Sequence, residues 1–324
     1  MAINIVLLIV GMALLVKGAD WFVGGSSAIA KALKIPSLII GLTLVSMGTS
    51  APEASVSINS AVNGMNDLSI GNVVGSNIFN TLLILGVSSL IVPLSIGKDI
   101  KRFDIPIMVC LYGVLLVFAF VITPLKLDIF ESVAMLVLFV AYTAFLIIRT
   151  KRENKKIAVS SASAQTSEEV KEEKKKPLWL NIILAVVGLA GIIFGGDLVV
   201  DNAAAIAKAA GMSESLVGLT IVAVGTSLPE LVTSVVASIK KENDIAIGNV
   251  IGSNIFNIIF ILGLSSTISN LTVGWSALAD LLVMLGSGVI VLLIALFSKK
   301  MQRWQGAITV LLYVGYLVYI ILRN

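Results

Sequence analysis

Two six-residue blocks carry the side chains best suited to chemistry in this chain, Gly48-Thr49-Ser50-Ala51-Pro52-Glu53 and Gly225-Thr226-Ser227-Leu228-Pro229-Glu230. Two further blocks answer each other downstream, SIGNVVGSNIFN at 69–80 and AIGNVIGSNIFN at 246–257. Between them they supply Thr49, Ser50, Glu53, Ser76, Asn77 and Asn80, matched by Thr226, Ser227, Glu230, Ser253, Asn254 and Asn257. Carboxylates, hydroxyls and amide carbonyls make an all-oxygen set, which suits hard cations such as Ca²⁺, Na⁺ or Mg²⁺ and no soft metal. The prolines add backbone oxygen. Pro52 has no N–H to donate, so the carbonyl of Gly48 loses its helical partner and the ring crowds that turn. The helix should kink there, where Gly48 tolerates a close approach. Ser50 and Glu53 have the S-x-x-E spacing of a capping box for a restarted half-helix, and residues 225–230 repeat the pattern. Unpaired carbonyls at membrane depth persist only inside protein or against a wet cavity, where cations are natural partners.

What the chain lacks narrows the chemistry further. It contains no histidine and a single cysteine, Cys110. The usual proton shuttle and the commonest transition-metal ligand are therefore missing, and neither an intrachain disulfide nor a cysteine metal cluster can form. Any proton or ion chemistry falls to carboxylates, hydroxyls, amides and backbone. No GxxxxGK[ST] phosphate loop occurs, so the sequence predicts no nucleotide, no cofactor and no enzyme. A net charge of +4 without a basic face gives no support to nucleic-acid binding.

The elements that position these residues must cross a bilayer. With 57% apolar residues, 13% charged and a mean hydropathy of +1.03, a soluble globular fold is excluded. A hydrocarbon core about 30 Å thick needs roughly 20 apolar residues per helix. Ten such stretches run near 3–29, 36–62, 67–92, 104–122, 128–148, 178–202, 213–239, 243–268, 275–297 and 304–322. The first has no basic residue before Lys17 and no small-residue cleavage pattern, so it reads as an uncleaved span. Residues 149–177 stand apart as a solvated, charged linker, with nine Lys or Arg and five Glu. Placing it in the cytoplasm puts Lys31, Lys34, Lys98, Lys101, Arg102, Lys240, Lys241, Lys299, Lys300 and Arg303 on its side. Nineteen of 23 positive charges then lie inside, which predicts ten helices, both termini outside, in a plasma (inner) membrane.

The two halves of the chain are copies. VGLTIVAVGTSLPE at 217–230 answers IGLTLVSMGTSAPE at 40–53 at an offset of 177, and the downstream blocks, Gly263 with Gly86 and Asp197 with Asp20 keep that offset. Five spans per copy is an odd number, so the second copy enters the membrane upside down. The expected fold is an all-α membrane protein of ten transmembrane helices in two inverted five-helix repeats, 1–148 and 178–324, joined by 149–177. Such architectures place a substrate site near the midplane between interrupted helices of both halves. The spacing agrees. Glu53 and Ser76 lie symmetrically about the turn at Asn63–Asn66, eleven or twelve residues from it, which at about 1.5 Å per residue is roughly 17 Å. Glu230 and Ser253 repeat this about the Lys240–Glu242 turn. Two carboxylates near the bilayer centre cost roughly 3 kcal/mol each on insertion scales and require a neutralising partner.

Paired GTSxPE and GNxxGSNIFN blocks on a five-plus-five inverted repeat resemble the alpha repeats of the calcium/cation antiporter superfamily, and among its members the prokaryotic sodium/calcium exchangers. The resemblance spans nearly the whole chain. It implies that Glu53 and Glu230 bind Ca²⁺ and share Na⁺, with hydroxyls from Thr49, Ser50, Ser76, Thr226, Ser227 and Ser253. It also implies main-chain carbonyls at Ser46 and Ala223, and a sliding of the first and sixth spans past the rest. Where some members pair Asn in one repeat with Asp in the other, this chain has Asn80 and Asn257. The site then carries two carboxylates and no third, which balances one Ca²⁺ and leaves the driving ion open between Na⁺ and H⁺.

Blander readings attach to the same residues. A single proline kink in a membrane helix is usually structural, and Ser, Asn, Gly and Ala often serve helix packing. Duplication of both blocks, each with a glutamate on an interrupted helix, favours function. Asp20 and Asp197 read as packing or interfacial residues, and Trp21, Trp179, Trp275 and Trp304 as interface anchors. The expected partners are Ca²⁺, Na⁺ and the lipid bilayer. The alternatives are a Ca²⁺/H⁺ antiporter using Glu53 or Glu230 for the proton, a passive cation channel, and a non-transporting scaffold.

Overall fold

The computed structural model describes residues 1–163, 177–212 and 223–323. They form eleven helices: α1 (Ala2–Leu33), α2 (Ser37–Thr49), α3 (Ala51–Val62), α4 (Asn66–Ile91), α5 (Ile100–Ile122), α6 (Ile129–Ser163), α7 (Leu178–Ala209), α8 (Leu228–Ile239), α9 (Asn243–Ile268), α10 (Ser276–Phe297) and α11 (Arg303–Arg323). Eight of them are long and apolar enough to cross a membrane, while α2 and α8 are shorter apolar helices. The stretch read from sequence as one span at 36–62 is divided at Ser50 into α2 and α3. Of the stretch at 213–239, residues 213–222 lie outside the described residues, and the remainder is a short turn, Ala223–Gly225, followed by α8. Much of the charged linker, 164–176, also lies outside them. Its first part is not an open connection: α6 continues as helix past residue 148 to Ser163. Arg149 is 8% exposed and donates to both carboxylate oxygens of the fully buried Asp104 at 2.8 and 3.0 Å.

The outside of the molecule is oily, and inside it a set of buried polar residues shares the space with an apolar core. Ile3, Val6, Ile9 and Val10 of α1, Val133, Val137 and Val140 of α6, and Val186 and Val187 of α7 are exposed, as suits an all-helical, multi-pass membrane protein facing lipid. Trp21, Trp179, Trp275 and Trp304 are exposed too. The most enclosed long helices are α4 and α9, 72% and 89% of whose apolar windows are buried, against 22% and 28% for α1 and α7. Serine, asparagine and threonine can sit on α4 and α9 because most of each helix faces protein.

The two copies keep the same backbone where their residues differ. Gly64 (φ 71°) and Lys241 (φ 62°), 177 apart, both take the left-handed conformation in the turns before α4 and α9. Lys34 (φ 55°) and Gly211 (φ 94°) do so after α1 and α7. In each pair one copy has glycine, which adopts this region freely, and the other forces a lysine into it. Two antiparallel bridges join the halves: Leu94–Ser95 pairs with Lys300–Met301, and Lys126–Leu127 with Leu271–Thr272.

Glycine lets α1 and α7 touch backbone to backbone. A Cβ on Gly18 would come within 2.7 Å of the Gly188 carbonyl, and one on Gly188 within 2.5 Å of the Phe22 nitrogen. Gly11 against Gly195 and Gly25 against Asn181 extend the seam by one step of seven residues each way. At one end α1 is also tied to the turn between α8 and α9. Lys240 Nζ lies 2.7 Å from Asp20 Oδ1, while Glu242 Oε1 accepts from Ser27 Oγ at 2.5 Å and lies 3.5 Å from Lys31 Nζ. Asp20 thus has the interfacial role its position implied, whereas Asp197 is exposed.

Candidate cation-binding site

Pro52 and Pro229 each stand in the first turn of a helix, α3 and α8, where a missing N–H costs nothing. The chain is interrupted for only one residue at Ser50 (φ −82°, ψ 9°). The local capping box expected from S-x-x-E does not form, because Ser50 makes no side-chain cap. Its hydroxyl donates instead to Glu230 Oε1 of the other half at 2.9 Å, and Ser227 donates to Glu53 Oε1 at 2.8 Å. Each glutamate is oriented by the serine of the opposite copy. Both glutamates and both serines have no exposed surface.

Several of the other predicted residues bond around this pair, while Asn80 and Asn257 join a cluster with Asn77 and Asn254. Ser76 Oγ lies 3.0 Å from Ser227 Oγ, which places it beside Glu53. Ser253 Oγ donates to the Ser46 carbonyl at 3.4 Å, so that backbone oxygen faces the centre beside Glu230's half. Thr49 Oγ1 donates to Asn249 Oδ1 at 3.0 Å, and Thr226 Oγ1 to Asn72 Oδ1 at 3.4 Å. Ala223 opens the turn Ala223–Gly225 at the edge of the described residues. Asn80 and Asn257 sit in or at the start of wide π turns, Phe79–Ile84 and Asn257–Leu262, a helical irregularity frequent at functional sites. Asn80 Nδ2 donates to Asn254 Oδ1 at 3.2 Å and Asn257 Nδ2 to Asn77 Oδ1 at 3.0 Å. Asn77 and Asn254 therefore link the two halves.

Counting donors shows what the centre is short of. Glu53 Oε2, Glu230 Oε2, Asn80 Oδ1 and Asn257 Oδ1 are all buried and accept no hydrogen bond from the described residues. An unpaired buried acceptor normally costs about 1–3 kcal/mol, more when charged. Equivalent unpaired pairs also occur elsewhere on α4 and α9, Asn66 Oδ1 with Asn243 Oδ1 and Ser88 Oγ with Ser265 Oγ, but only the Glu53 and Glu230 pair is acidic, and it calls for positive charge. Among the described residues no Lys or Arg pairs with either glutamate. Carboxylate, amide and hydroxyl oxygen from both halves can replace the hydration shell of a hard cation.

Reading the sequence missed Asn72 and Asn249, which stand behind the threonines. The signal was present: Asn72, Ser76 and Asn80 fall at i, i+4 and i+8, as do Asn249, Ser253 and Asn257, one stripe on each helix. Asp280 and Glu131, given no role from sequence, are structural. Asp280 pairs with Arg323 at 3.0 Å, and Glu131 Oε2 accepts from the Asp128 amide at 3.1 Å at the start of α6.

An all-helical membrane protein whose interior holds a duplicated acidic centre is the class that this fold and site define. The chain belongs to the sodium/calcium exchanger protein family, whose model matches it twice, over residues 3–148 and 180–322. It is 34% identical over 344 residues to the sodium/calcium exchanger MaX1 of Methanosarcina acetivorans, with 98% of each chain covered. It is 39% identical over 266 residues to the inner membrane protein YrbG of Escherichia coli, covering 81% of this chain and 79% of that one. Among solved structures it is similar to the sodium-calcium exchanger NCX_Mj soaked with zero Na⁺ and Ca²⁺. The TM-score is 0.83 at 29% identity, over 99% of this chain and 100% of the other.

Proposed function

We propose that the protein exchanges Ca²⁺ for Na⁺ across its membrane by alternating access at the Glu53–Glu230 centre. The observation that carries this reading is the set of four buried, donor-less acceptor oxygens, two from each copy, on Glu53, Asn80, Glu230 and Asn257. The proposed ligands are the side chains of Thr49, Ser50, Glu53, Ser76, Asn80, Thr226, Ser227, Glu230, Ser253 and Asn257, with the carbonyls of Ser46 and Ala223. Two carboxylates balance one Ca²⁺, and Na⁺ competes for the same oxygens. An empty, doubly negative centre crosses poorly by itself, which enforces exchange over leak. The exchanger relatives and the solved exchanger that this chain matches favour Na⁺ as the counter-ion.

In this reading α2 with α3 counts as one span, and so does the stretch 213–239 that ends in α8. The chain then has ten, in inverted repeats 1–148 and 178–324 joined by the linker 149–177. The reciprocal bonds Ser50–Glu230 and Ser227–Glu53 support a pseudo-two-fold axis through the centre. The bias of positive charge supports a plasma (inner) membrane location with the linker in the cytoplasm and both termini outside. The interlocked pair α1–α7 is the element that slides past the rest. The test is ⁴⁵Ca²⁺ uptake into proteoliposomes of the purified protein, driven by an outward Na⁺ gradient or, separately, an outward H⁺ gradient at equal membrane potential. Uptake that follows the Na⁺ gradient is expected; uptake driven only by protons would overturn the proposal.

A further inference from the structure

Asn72 and Asn249 make no hydrogen bond to the four open acceptor oxygens, yet each makes the same three contacts. Asn72 Nδ2 donates to the Glu53 carbonyl at 3.2 Å and to Ser57 Oγ at 2.8 Å. Asn249 Nδ2 donates to the Glu230 carbonyl at 3.4 Å and to Ser234 Oγ at 2.9 Å. Their Oδ1 atoms face Thr226 and Thr49 of the opposite copy, at 3.4 and 3.0 Å.

The chemistry of these groups leaves one arrangement. A backbone carbonyl can only accept, so the amide nitrogen must face the glutamate and the amide oxygen must face the threonine. An amide oxygen also only accepts, so in each of these bonds the threonine hydroxyl is the donor; Thr49 has a second acceptor in reach, the Ser46 carbonyl at 3.4 Å, but Asn249 Oδ1 at 3.0 Å is the nearer. Once its one proton is committed, the threonine oxygen has only lone pairs left to offer. A hydroxyl free to rotate spends part of its time presenting its proton, which repels a cation; one held by Asn249 or Asn72 presents oxygen throughout.

We infer that Asn249 and Asn72 are positioning residues that lock the Thr49 and Thr226 hydroxyls in the orientation that a cation needs, while bracing the first turn that carries each glutamate. This rests on the proposed role of the two threonines as ligands. Partners that orient a metal's ligands are typically worth about tenfold to a hundredfold in affinity. The backbone brace acts on α3 and α8, whereas the hydroxyl lock acts on the other copy, so each asparagine couples the two halves.

Two double-mutant cycles test this on the full-length protein in proteoliposomes, reading the Ca²⁺ concentration for half-maximal uptake under a fixed Na⁺ gradient. The first combines Asn249→Ala with Thr49→Val. Each single change is expected to raise the half-maximal concentration about tenfold or more, and the double variant to exceed the worse single by no more than about twofold, because both remove one function. A double variant that equals the product of the singles would overturn the lock while leaving the ligand role of Thr49 intact. A Thr49→Val variant indistinguishable from the unaltered protein would overturn the ligand role and the lock with it. Asn249 is fully buried, so if its variant does not run as a single species on gel filtration, the half-buried pair Asn72→Ala and Thr226→Val decides by the same criteria.

Discussion

Glu53→Gln removes one of two charges from the centre while leaving its hydrogen-bond frame in place. Ser227 donates to Oε1 at 2.8 Å, and a glutamine carbonyl still accepts that bond, though more weakly than a carboxylate. The amide NH₂ then occupies the position of Oε2, which accepts nothing from the described residues. Two N–H donors thus point where the carboxylate offered lone pairs, and no protein contact is lost. For a divalent ion about 3 Å away, the lost attraction is about 11 kcal/mol at an effective dielectric of about 20. Much of that is returned, because the carboxylate no longer has to be stripped of water. Removing one partner of a buried ion pair leaves a net cost of about 3–5 kcal/mol, a loss of roughly a hundredfold to a few thousandfold in affinity. The assay is ⁴⁵Ca²⁺ uptake into proteoliposomes under an outward Na⁺ gradient, with gel filtration and a melting curve to show that the variant folds as the unaltered protein does. Uptake falling below detection at micromolar Ca²⁺, with an unchanged melt, is expected, and Glu230→Gln should behave alike. Exchange within tenfold of normal by a folded Glu53→Gln protein would refute the assignment.

Other perturbations reach the neighbouring parts. Asn257→Asp replaces the donor held by Asn77 Oδ1 at 3.0 Å with a third carboxylate; the Na⁺ dependence of uptake should change more than the Ca²⁺ affinity, and superimposable Na⁺ curves would count against this. Combined Lys240→Met and Glu242→Gln removes the ion pairs that tie α1 to the α8–α9 turn and of those contacts leaves only the Ser27 hydrogen bond. Each exposed pair is worth about 0.2–1 kcal/mol. With the native Cys110 replaced, a cysteine at Ser238 should react with a maleimide from the linker side about two- to fivefold faster, and an unchanged rate would show that the tie does not close that side. Gly188→Ala drives a methyl to 2.5 Å from the Phe22 nitrogen, and should lower the melting temperature by the equivalent of about 1–3 kcal/mol together with the rate of exchange.

The centre was legible because it is duplicated. One proline or one serine in a membrane helix says little, but Thr49, Ser50 and Glu53 with Thr226, Ser227 and Glu230 at a fixed offset name the site twice, and the structure brings them together. The symmetry of Glu53 and Ser76 about their turn was also readable, since both side chains meet at Ser227. What the sequence hid were partners chosen across the fold. The S-x-x-E spacing looks like a local cap, and only the other copy shows that Ser50 has a better acceptor in Glu230. Arg149 opens a run of charges and reads as solvent-facing, but Asp104, 45 residues earlier, draws it inward. Asn72 and Asn249 were passed over because an asparagine in an α-helix gives no sign of which neighbour it holds. The π turns at Phe79 and Asn257 likewise leave no residue type that marks them.

The crossed bonds between Ser50 and Glu230 and between Ser227 and Glu53 bear on how such a molecule could arise. Under the proposed inverted repeat, a single copy would hold a buried glutamate with no hydroxyl for its Oε1 and a threonine with no asparagine to face. It would be chemically incomplete until it met a second copy in the opposite orientation. An ancestor of one copy could therefore have worked only if the same chain inserted both ways and paired with itself. Fusion through a linker would make that pairing permanent and free each copy to drift, as the glycine-for-lysine exchanges at 34, 64, 211 and 241 illustrate.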